Sequence, residues 1–229
     1  MDPQFKIVGH RGAPAYAPEN TLKSFRKAYE CGATAIEFDV RLTADQVPVI
    51  IHDETTERVA GAGGPVAEMK FEDLRKISVG GEKIPTLEEV LTFAKDRLAV
   101  DVEIKVIGVE KRVVRLIHDF GLTDKALITS FIPPILSQVK RLDPRIRVGV
   151  LCSEWDDEYL DIAAKLDAYA LLPNYKSVNE DLVRKVRKDG FKLIVWTVNN
   201  LEDIEKMISL GVDGIITDDP CKARKIITV

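Results

Sequence analysis

The chain has 229 residues, of which 45% are hydrophobic, and a formal net charge of −4. This length fits one large domain or two small ones, and the apolar content is ample for a sizeable core. There is no excess of basic residues and no lysine or arginine run, so we expect no nucleic-acid partner. No apolar run approaches the roughly 18 residues of a membrane span, so we expect no stable membrane insertion.

The first predicted strand begins too close to the amino terminus for a signal peptide to precede it, so we expect a cytoplasmic protein. The three cysteines, Cys31, Cys152 and Cys221, are odd in number, widely spaced and outside any CxxC pair. They predict neither a disulfide framework nor a zinc site, and we interpret all three as packing residues. The sequence gives no indication of an oligomeric state.

Short β-branched runs alternate with amphipathic segments along the chain. Strands are predicted to begin near residues 6, 35, 98, 126, 146, 168, 191 and 213. A helix is predicted after each strand, over 18–30, 85–96, 108–120, 133–142, 155–166, 179–189, 200–210 and 220–227. Pro18, Pro85 and Pro133 are predicted to open three of these helices. Eight βα units predict an α/β fold, a (βα)8 TIM barrel with its site at the carboxyl ends of the strands. A doubly wound sheet is the alternative.

One interval is longer than the others, because 63 residues separate the strand starts at 35 and 98. This interval contains another strand-like run, VPVIIHD, which follows IEFDVRLT after the short polar turn ADQ. So short a turn predicts an antiparallel hairpin, and a turn centred near Asp45 places His52 opposite residue 38. We therefore expect a single barrel domain over 1–229, with a hairpin and a small insertion over 43–84 after the second barrel strand.

Charged side chains share one face of two predicted strands. Glu37 and Asp39 alternate on the second strand, and Asp101, Glu103 and Lys105 alternate on the next. The outer face of a barrel strand packs against apolar helices, so these charged faces are predicted to point inward. Crowded carboxylates in a medium of low dielectric constant require protonation, basic partners or a cation. Oxygen ligands favour Mg²⁺ or Ca²⁺ over zinc.

The alternative to a metal site is a buried network of salt bridges. Lys105, Arg11 and Arg41 are the basic residues available to neutralise the carboxylates in that case. This alternative stays open from the sequence of the strands alone.

Two of the three histidines are expected beside the carboxylates. His10 ends the first strand and His52 ends the returning hairpin, whereas His118 lies in a predicted helix and is interpreted as a surface or packing residue. A pair of imidazoles beside a metal suits general acid and base roles in phosphoryl transfer. Arg11 and Lys105 suit phosphate binding, although a salt bridge from Arg11 to Glu19 or Glu37 is the alternative.

These stretches resemble the glycerophosphodiester phosphodiesterase family, in order and over nearly the whole chain. The matching segments are HRG with PENT, EFDVRLTAD with VIIHD, IPTLEEVL, VEIK, the SF of LITSF, WTVN and GVDGIITDDP. By that resemblance His10 and His52 are the catalytic pair. The resemblance also implies three metal ligands and two phosphate contacts, which are respectively Glu37, Asp39 and Glu103, and Arg11 and Lys105.

The resemblance further places Trp196 near the mouth of the site, against the glycerol or alcohol portion of a substrate, and Phe131 is a second candidate there. The alternative for Trp196 is a core aromatic at a strand end. In one place the chain departs from the family pattern, because the hairpin has Gln46 after Asp45 where the family usually has glycine. The turn is therefore expected to be built differently.

The activity that the resemblance implies is metal-dependent hydrolysis of glycerophosphodiesters, such as glycerophosphocholine or glycerophosphoethanolamine, to glycerol 3-phosphate and an alcohol. The nucleophile is water or the substrate's own 2-hydroxyl, and either histidine can be the acid. A lysophospholipase D or another phospholipase-like phosphodiesterase is an alternative. An isomerase or aldolase with Lys105 as a Schiff-base amine, and a phosphate-binding barrel without turnover, are further alternatives.

Overall fold

The computed structural model describes residues 6–228, without the side chain of Thr228. This part of the chain contains eleven strands: β1 Lys6–Gly9, β2 Ala35–Leu42, β3 Pro48–Ile50, β4 Ser78–Val79, β5 Glu82–Lys83, β6 Ala99–Ile104, β7 Ala126–Ser130, β8 Arg147–Cys152, β9 Ala170–Pro173, β10 Lys192–Val195 and β11 Gly214–Thr217.

The same residues contain ten α-helices: α1 Leu22–Glu30, α2 Glu57–Ala60, α3 Phe71–Leu74, α4 Leu87–Ala94, α5 Glu110–Asp119, α6 Pro133–Leu142, α7 Glu158–Lys165, α8 Glu180–Lys188, α9 Leu201–Leu210 and α10 Pro220–Thr228. Two short 3₁₀ helices cover Val66–Glu68 and Tyr175–Ser177.

Eight parallel strands close into a ring in the order β1, β2, β6, β7, β8, β9, β10, β11. The ring is closed because β1 pairs with both β2 and β11. Helices connect successive strands of the ring, as the alternation of apolar runs predicts. The (βα)8 barrel is confirmed and the doubly wound sheet is wrong, since a doubly wound sheet has two free edges.

Alternation along the strands divides the apolar residues between two sides of the ring. Val100, Val102 and Ile104 of β6 are buried in the core between the strands and the helices. Val8 and Ile194 belong instead to a second apolar cluster inside the ring. The charged face of β6 therefore points into the barrel, as its alternation predicts.

The strand β3 lies outside the ring and pairs antiparallel with β2. Arg41 pairs with Val49 and Val40 with Ile50, which is the register expected from a turn centred on Asp45. The pairing ends at Ile50, and Ile51 donates its amide to the carbonyl oxygen of Asp39 at 3.0 Å. The hairpin therefore delivers His52 to the level of the acidic residues of β2.

The hairpin turn is built without glycine. Gln46 adopts a left-handed conformation with φ of 66°. A non-glycine residue in this region costs about 1–2 kcal/mol. The Thr43 side chain compensates, because its hydroxyl donates to Asp45 Oδ1 at 2.6 Å and accepts the amide of Val47 at 2.9 Å.

The insertion between β3 and α4 contains α2, α3, the hairpin of β4 and β5, and the first 3₁₀ helix. It has its own small apolar cluster, which is formed by Val49, Ile51, Val66, Leu74, Val79 and Ile84. The assignment of 1–229 to one domain, with an insertion over 43–84, stays a prediction, and residues 1–5 and 229 lie outside the described residues.

Pro18 and Pro85 do not open their helices, contrary to the prediction. Helix α1 begins at Leu22 rather than Pro18, because Asn20 has a φ of 57° and Thr21 is the N-cap. Helix α4 begins after Thr86, which forms a reciprocal capping box with Glu89. Pro133 does open α6, as predicted.

The interpretation of all three cysteines as packing residues is wrong for two of them. Cys31, at the carboxyl end of α1, forms a disulfide with Cys221 in α10, and their Cα atoms are 4.4 Å apart. The pair is 190 residues apart in sequence. Only the closure of the ring between β1 and β11 brings the first and last helical segments together, so spacing alone could not reveal the pair. Cys152 is a buried free thiol.

Among residues 6–228, no helix combines the length and the apolar character that crossing a membrane requires.

Candidate active site

Three acidic side chains converge inside the carboxyl end of the barrel. The pairing of β2 with β6 sets Asp39 beside Glu103, and Glu37 precedes Asp39 by two residues on the same face. Oxygen atoms of Glu37, Asp39 and Glu103 lie within 4.8 Å of one another, and all three residues are buried. Two adjacent strands with one inward-facing periodicity therefore create a triad that could hold a metal ion.

The triad has carboxylate oxygens without a hydrogen-bond partner. Glu37 Oε2 accepts the amide of Arg11 at 2.8 Å, but Glu37 Oε1 is buried and unsatisfied. Asp39 Oδ2 accepts a bond from Asn20 at 2.8 Å, whereas Asp39 Oδ1 makes no hydrogen bond and has only Lys105 Nζ at 3.2 Å. Buried unsatisfied anions are costly, and a divalent cation would satisfy both oxygens. The residues present therefore fit a hard metal ion.

The electrostatics of the triad indicate missing positive charge. Burial raises the pKa of Glu37 well above its usual range, and the nearby carboxylates of Asp39 and Glu103 raise it further. Burial and the charge of Asp39 raise the pKa of Glu103 to about 7. The pKa of Asp39 is lowered, because Lys105 and Arg11 outweigh the opposing effect of burial. Of the three carboxyl groups, only that of Asp39 has its pKa lowered by the nearby cations.

The basic residues of the salt-bridge alternative neutralise only part of the negative charge of the triad. Lys105 Nζ is 2.6 Å from Glu103 and 3.2 Å from Asp39. Arg11 is 3.3 Å from Asp39 but is shared with Glu19 at 2.9 Å. Two cations therefore face three carboxylates.

Arg41, the third basic residue of that alternative, points elsewhere. It donates to the carbonyl oxygen of His52 at 2.8 Å and reaches Glu54 only at 4.0 Å. Arg41 therefore takes no part in the salt bridges of the triad.

His10 and His52 each hold a carboxylate through Nδ1. His10 Nδ1 is 2.6 Å from Asp218 Oδ1, and Asn199 donates to the other oxygen of Asp218 at 2.6 Å. His52 Nδ1 is 2.6 Å from Asp53 Oδ1. In both rings Nδ1 is engaged, which fixes the orientation of the imidazole and leaves Nε2 for other chemistry.

A cavity of about 170 Å³ joins these groups. Its wall includes eight of the nine residues singled out from the sequence, namely His10, Arg11, Glu37, His52, Glu103, Lys105, Phe131 and Trp196. The ninth, Asp39, is fully buried beside them. The Phe131 and Trp196 rings meet edge to face with centroids 5.6 Å apart, and the indole N–H of Trp196 donates to the Leu172 carbonyl at 2.7 Å.

Two further cavities border the barrel strands or the loops that follow them. An open cavity of about 480 Å³ lies on the other side of His10 and is bordered by Asn199, Asp218 and Lys222. A cavity of about 260 Å³ lies at the amino ends of the strands, between Lys6, Ala99 and Arg147. It is larger than the histidine cavity but contains no histidine, so size does not identify the site.

A profile of the glycerophosphoryl diester phosphodiesterase family matches residues 10–222. This match covers nearly all of the described structure, including every residue of the cavity between the histidines. The chain belongs to the glycerophosphoryl diester phosphodiesterase family. A curated glycerophosphodiester phosphodiesterase of Caldanaerobacter subterraneus subsp. tengcongensis is 38% identical over 228 residues, which cover 93% of this chain and 94% of that protein.

Solved structures of the family share the fold. A phosphodiesterase from Silicibacter pomeroyi is 25% identical, with a TM-score of 0.91 over 100% of this chain and 94% of that one. An Oleispira antarctica phosphodiesterase in complex with the product sn-glycerol-3-phosphate is also 25% identical, with a TM-score of 0.90 over 98% of this chain and 97% of that one. The expectation that the chain is a phosphodiesterase enzyme is therefore confirmed at the level of the phosphodiesterase family.

Several residues of this phosphodiesterase site were not identified from the sequence. Asp218 and Asp53 bind the two histidines, and Asn20 donates to Asp39. Asp53 directly follows His52 in the sequence, and this proximity could have indicated that its carboxylate contacts the imidazole. The positions of Asn20 and Asp218 depend on the loops after β1 and β11, which local periodicity does not describe.

Asp101 lies on the same inward face as Glu103 but has a partner of its own. Thr129 donates to Asp101 Oδ1 at 2.7 Å. Burial nevertheless raises the pKa of Asp101 to about 7. Asp101 therefore lies on the charged face of β6 without belonging to the triad.

His118 does not line the cavity between His10 and His52, as expected. Its side chain is 36% exposed, and Nε2 is 2.8 Å from Asp143. Arg145 holds the same carboxylate at 2.7 Å. His118 is thus a surface histidine with a single carboxylate partner rather than an acidic cluster.

Proposed function

We propose that the chain hydrolyses glycerophosphodiesters, such as glycerophosphocholine or glycerophosphoethanolamine, to glycerol 3-phosphate and an alcohol. The observation that carries the proposal is the buried triad of Glu37, Asp39 and Glu103, with unsatisfied oxygens, between two histidines that are each held by a carboxylate. Family membership and the glycerol 3-phosphate complex of the Oleispira antarctica phosphodiesterase support the substrate class.

Glu37, Asp39 and Glu103 are proposed to hold a divalent cation, Mg²⁺ or Ca²⁺. Their oxygen-only donor set and raised pKa values support a hard cation of this kind. When bound, such an ion neutralises charge on a phosphate oxygen and lowers the pKa of a hydroxyl group that contacts it.

Arg11 and Lys105 are proposed to bind the phosphate oxygens. Both cations line the cavity beside the triad, and a guanidinium fork with an ammonium group matches the geometry of a phosphodiester. The role of Lys105 as a Schiff-base amine is not supported, because its ammonium is paired with two carboxylates and its pKa is raised despite burial. A nucleophilic amine requires the opposite shift of the pKa.

The two histidines are proposed to transfer the protons. Burial lowers the pKa of His52, and Lys105 and Arg11 lower it further against the opposing effects of Asp39 and Asp53. A neutral imidazole at neutral pH suits the acceptance of a proton from the nucleophile. His10, on the other side of the cavity, then protonates the departing alkoxide.

Phe131 and Trp196 are proposed to contact the carbon portion of the substrate. Their rings form part of the apolar lining of the cavity, together with Leu151 and Ile216, and Phe131 is 42% exposed. The open polar cavity beyond His10 leaves room for the second substituent of the phosphodiester. Both arms of the substrate therefore have a place on either side of the proposed scissile bond.

A second candidate is the cleavage of lysophospholipids. Phe131 lines the cavity and is 42% exposed, and Ile107, two residues beyond Lys105 in the sequence, is 71% exposed, so both offer apolar surface to solvent. The glycerol portion of a lysophospholipid carries an acyl chain that such a surface could contact. Parallel assays with glycerophosphocholine and a lysophosphatidylcholine decide between the two substrates.

The expected cytoplasmic location stays a prediction. Disulfides are rare in the cytosol of mesophiles, so the Cys31–Cys221 pair makes the location worth measuring.

The test of the proposed function is the release of glycerol 3-phosphate from glycerophosphocholine, with and without EDTA. We expect activity that EDTA abolishes and that Mg²⁺ or Ca²⁺ restores. His10→Ala, His52→Ala and Glu103→Gln should each lower kcat by about a hundredfold or more. His118→Ala is the matched control, because His118 also pairs with a carboxylate but lies outside the site. Activity that is absent, or indifferent to EDTA and to all three substitutions, would refute the proposal.

A further inference from the structure

Arg58 lies in α2 of the insertion and bridges two carboxylates. Its Nε donates to Asp53 Oδ2, and its two terminal nitrogens donate to the two oxygens of Glu19 at 2.9 Å and 2.7 Å. The guanidinium thereby uses three of its N–H groups in one planar fork. Arg58 does not line the cavity of about 170 Å³, but both of its partners contact residues that do.

Each of the two carboxylates continues to a residue of the proposed chemistry. Asp53 Oδ1 holds His52 Nδ1 at 2.6 Å, and Glu19 Oε1 accepts a bond from Arg11 at 2.9 Å. The contacts therefore run from His52 through Asp53, Arg58 and Glu19 to Arg11. One side chain of the insertion connects the histidine on the hairpin side with the arginine on the β1 side.

The charges in this series of contacts are matched. Arg58 and His52 lower the pKa of Asp53 to about 2 against the opposing effect of burial. Arg58 and Arg11 likewise lower the pKa of Glu19, again against burial. Both carboxylates are thus ionised at neutral pH, and an ionised Asp53 accepts a hydrogen bond from the Nδ1–H group of His52. This contact fixes the tautomer whose Nε2 is free to accept a proton.

We propose that Arg58 is a positioning residue, which orients His52 through Asp53 and Arg11 through Glu19. The inference rests on the proposed function, because it assigns Arg58 a role in that reaction. Without Arg58 the two carboxylates lose their common donor, and each catalytic partner gains freedom to rotate. A displacement of reacting groups by about 1 Å can cost a hundredfold in rate.

The same three residue types occur in the same order elsewhere in the chain. Arg145 donates to Asp143, and Asp143 holds His118 at 2.8 Å. The Arg145 side chain is 75% exposed and that of Arg58 is 49% exposed. Arg145, Asp143 and His118 do not line the cavity. Substitution of Arg145 is therefore a matched control for the loss of an arginine that holds an aspartate–histidine pair.

The experiment measures kcat, KM and Tm with glycerophosphocholine for wild type and for Arg58→Gln, Arg58→Lys and Arg145→Gln. We expect Arg58→Gln to lower kcat about ten- to a hundredfold and to raise KM, with a Tm close to that of Arg145→Gln. Arg58→Lys should have an intermediate kcat, because an ammonium retains the charge but lacks the fork. Arg145→Gln should leave kcat and KM within about twofold of wild type.

Two single substitutions separate the two arms. Asp53→Asn weakens the contacts of Asp53 with His52 and Arg58 but leaves Glu19 with both arginines, so it should lower kcat more than it raises KM. Glu19→Gln weakens the contacts of Glu19 with Arg11 and Arg58 but leaves Asp53 with His52, so it should raise KM more than it lowers kcat. Because Arg58 contacts both carboxylates, Arg58→Gln should change both kcat and KM.

The inference is overturned if Arg58→Gln keeps wild-type kcat and KM, or if it loses activity only in proportion to a fall in Tm. An intermediate rate for Arg58→Lys, with both Tm values unchanged, supports a contribution of the guanidinium fork in addition to the charge. An inactive wild-type chain overturns the proposed function and this inference with it. An active wild type with insensitive Arg58 variants overturns the inference alone.

Discussion

The two ends of the barrel interior differ in what they bury. At the amino end the strands contribute apolar side chains, such as Val8, Ala35 and Ile194, to one cluster. At the carboxyl end they contribute Glu37, Asp39 and Glu103, which are also buried. Both ends belong to the same ring of strands, so the fold itself does not require the acidic residues.

The difference shows where the chain gives up stability for chemistry. Burial of apolar surface stabilises the folded state by about 25 cal/mol per Å². Burial of carboxylates destabilises it, and this burial, followed by repulsion from the neighbouring carboxylates, raises the pKa values of Glu37 and Glu103. The amino end is therefore expected to govern the free energy of unfolding, and the carboxyl end is expected to govern turnover.

The largest expected effect is at the carboxyl end. Glu37→Gln should lower kcat/KM about a thousandfold or more, because it removes a proposed metal ligand. In EDTA the same substitution should raise Tm by a few degrees, since about 1 kcal/mol corresponds to roughly 2–4 °C at this chain length. The reason is that it removes one charge from a buried group of like charges. Thermal unfolding in EDTA checks the second expectation.

Glu110→Gln is the control for that experiment. Glu110 is also a buried acidic residue, but its carboxylate accepts the amide of Gly108 at 2.8 Å and lies outside the triad. Its substitution should not raise Tm. A fall in Tm for Glu37→Gln in EDTA would show that the triad is not repulsive.

The second expected effect concerns the Cys31–Cys221 disulfide, which lies outside the barrel interior. Cys31→Ser should lower the free energy of unfolding by about 2–5 kcal/mol and leave KM unchanged, because the cross-link restricts an unfolded chain over 190 residues. Urea unfolding measures the loss. An equal loss of activity and stability would contradict the separation of the two regions.

A thiol count verifies the pairing itself. Burial raises the pKa of Cys152 to about 12, so its thiol should not react with an aromatic disulfide reagent in the native chain. One thiol should react after denaturation without reductant, and three should react after denaturation with reductant. Three reactive thiols without reductant would show that Cys31 and Cys221 are not paired.

The third expected effect is at the amino end. Ile194→Ala should lower the free energy of unfolding by about 2–3 kcal/mol, near the low end for such truncations, because Ile194 already borders a cavity. Its kcat and KM should stay within about twofold of wild type. A fall in kcat without a fall in stability would show that the amino end also controls the reaction.

Much of this comparison could be predicted from periodicity. Alternation on β2 and β6 places Glu37, Asp39 and Glu103 on inward faces, and the short turn after Leu42 sets the register of β3. These features depend on residues that are close in sequence, or on the alternation of side chains between the two faces of a strand. The local sequence is therefore sufficient to predict them.

The features that were missed depend on contacts between distant segments. Cys31 meets Cys221 only because the ring closes, and Asp218 meets His10 only because β11 pairs with β1. Arg58 was not identified because the insertion has no periodic pattern that orients its side chains toward the barrel. A single sequence fixes the spacing of such residues but not their meeting point.

The smallest expected effect comes from the exposed margin of the carboxyl end, where charge stabilises the fold. The pKa of Asp53 is about 2 in the folded state and lies near 3.8 ordinarily. Asp53 therefore contributes stability above about pH 4 that is lost as the pH falls toward 2. The free energy of unfolding of wild type should exceed that of Asp53→Asn by about 1 kcal/mol at pH 7, as expected for partly exposed ion pairs. The difference should be smaller at pH 3. Urea unfolding at the two pH values measures the difference.

The buried carboxylates should show the opposite sign in the same measurements. The pKa of Glu103 is raised to about 7 from a usual 4.5, so the folded chain binds a proton in this interval that the unfolded chain does not. In EDTA the free energy of unfolding should therefore rise as the pH falls from 7 to 5, and Glu103→Gln should remove part of that rise. A wild-type chain that loses stability steadily from pH 7 to 5 would show that the carboxyl end is not held under repulsion, and the contrast between the two ends would fail.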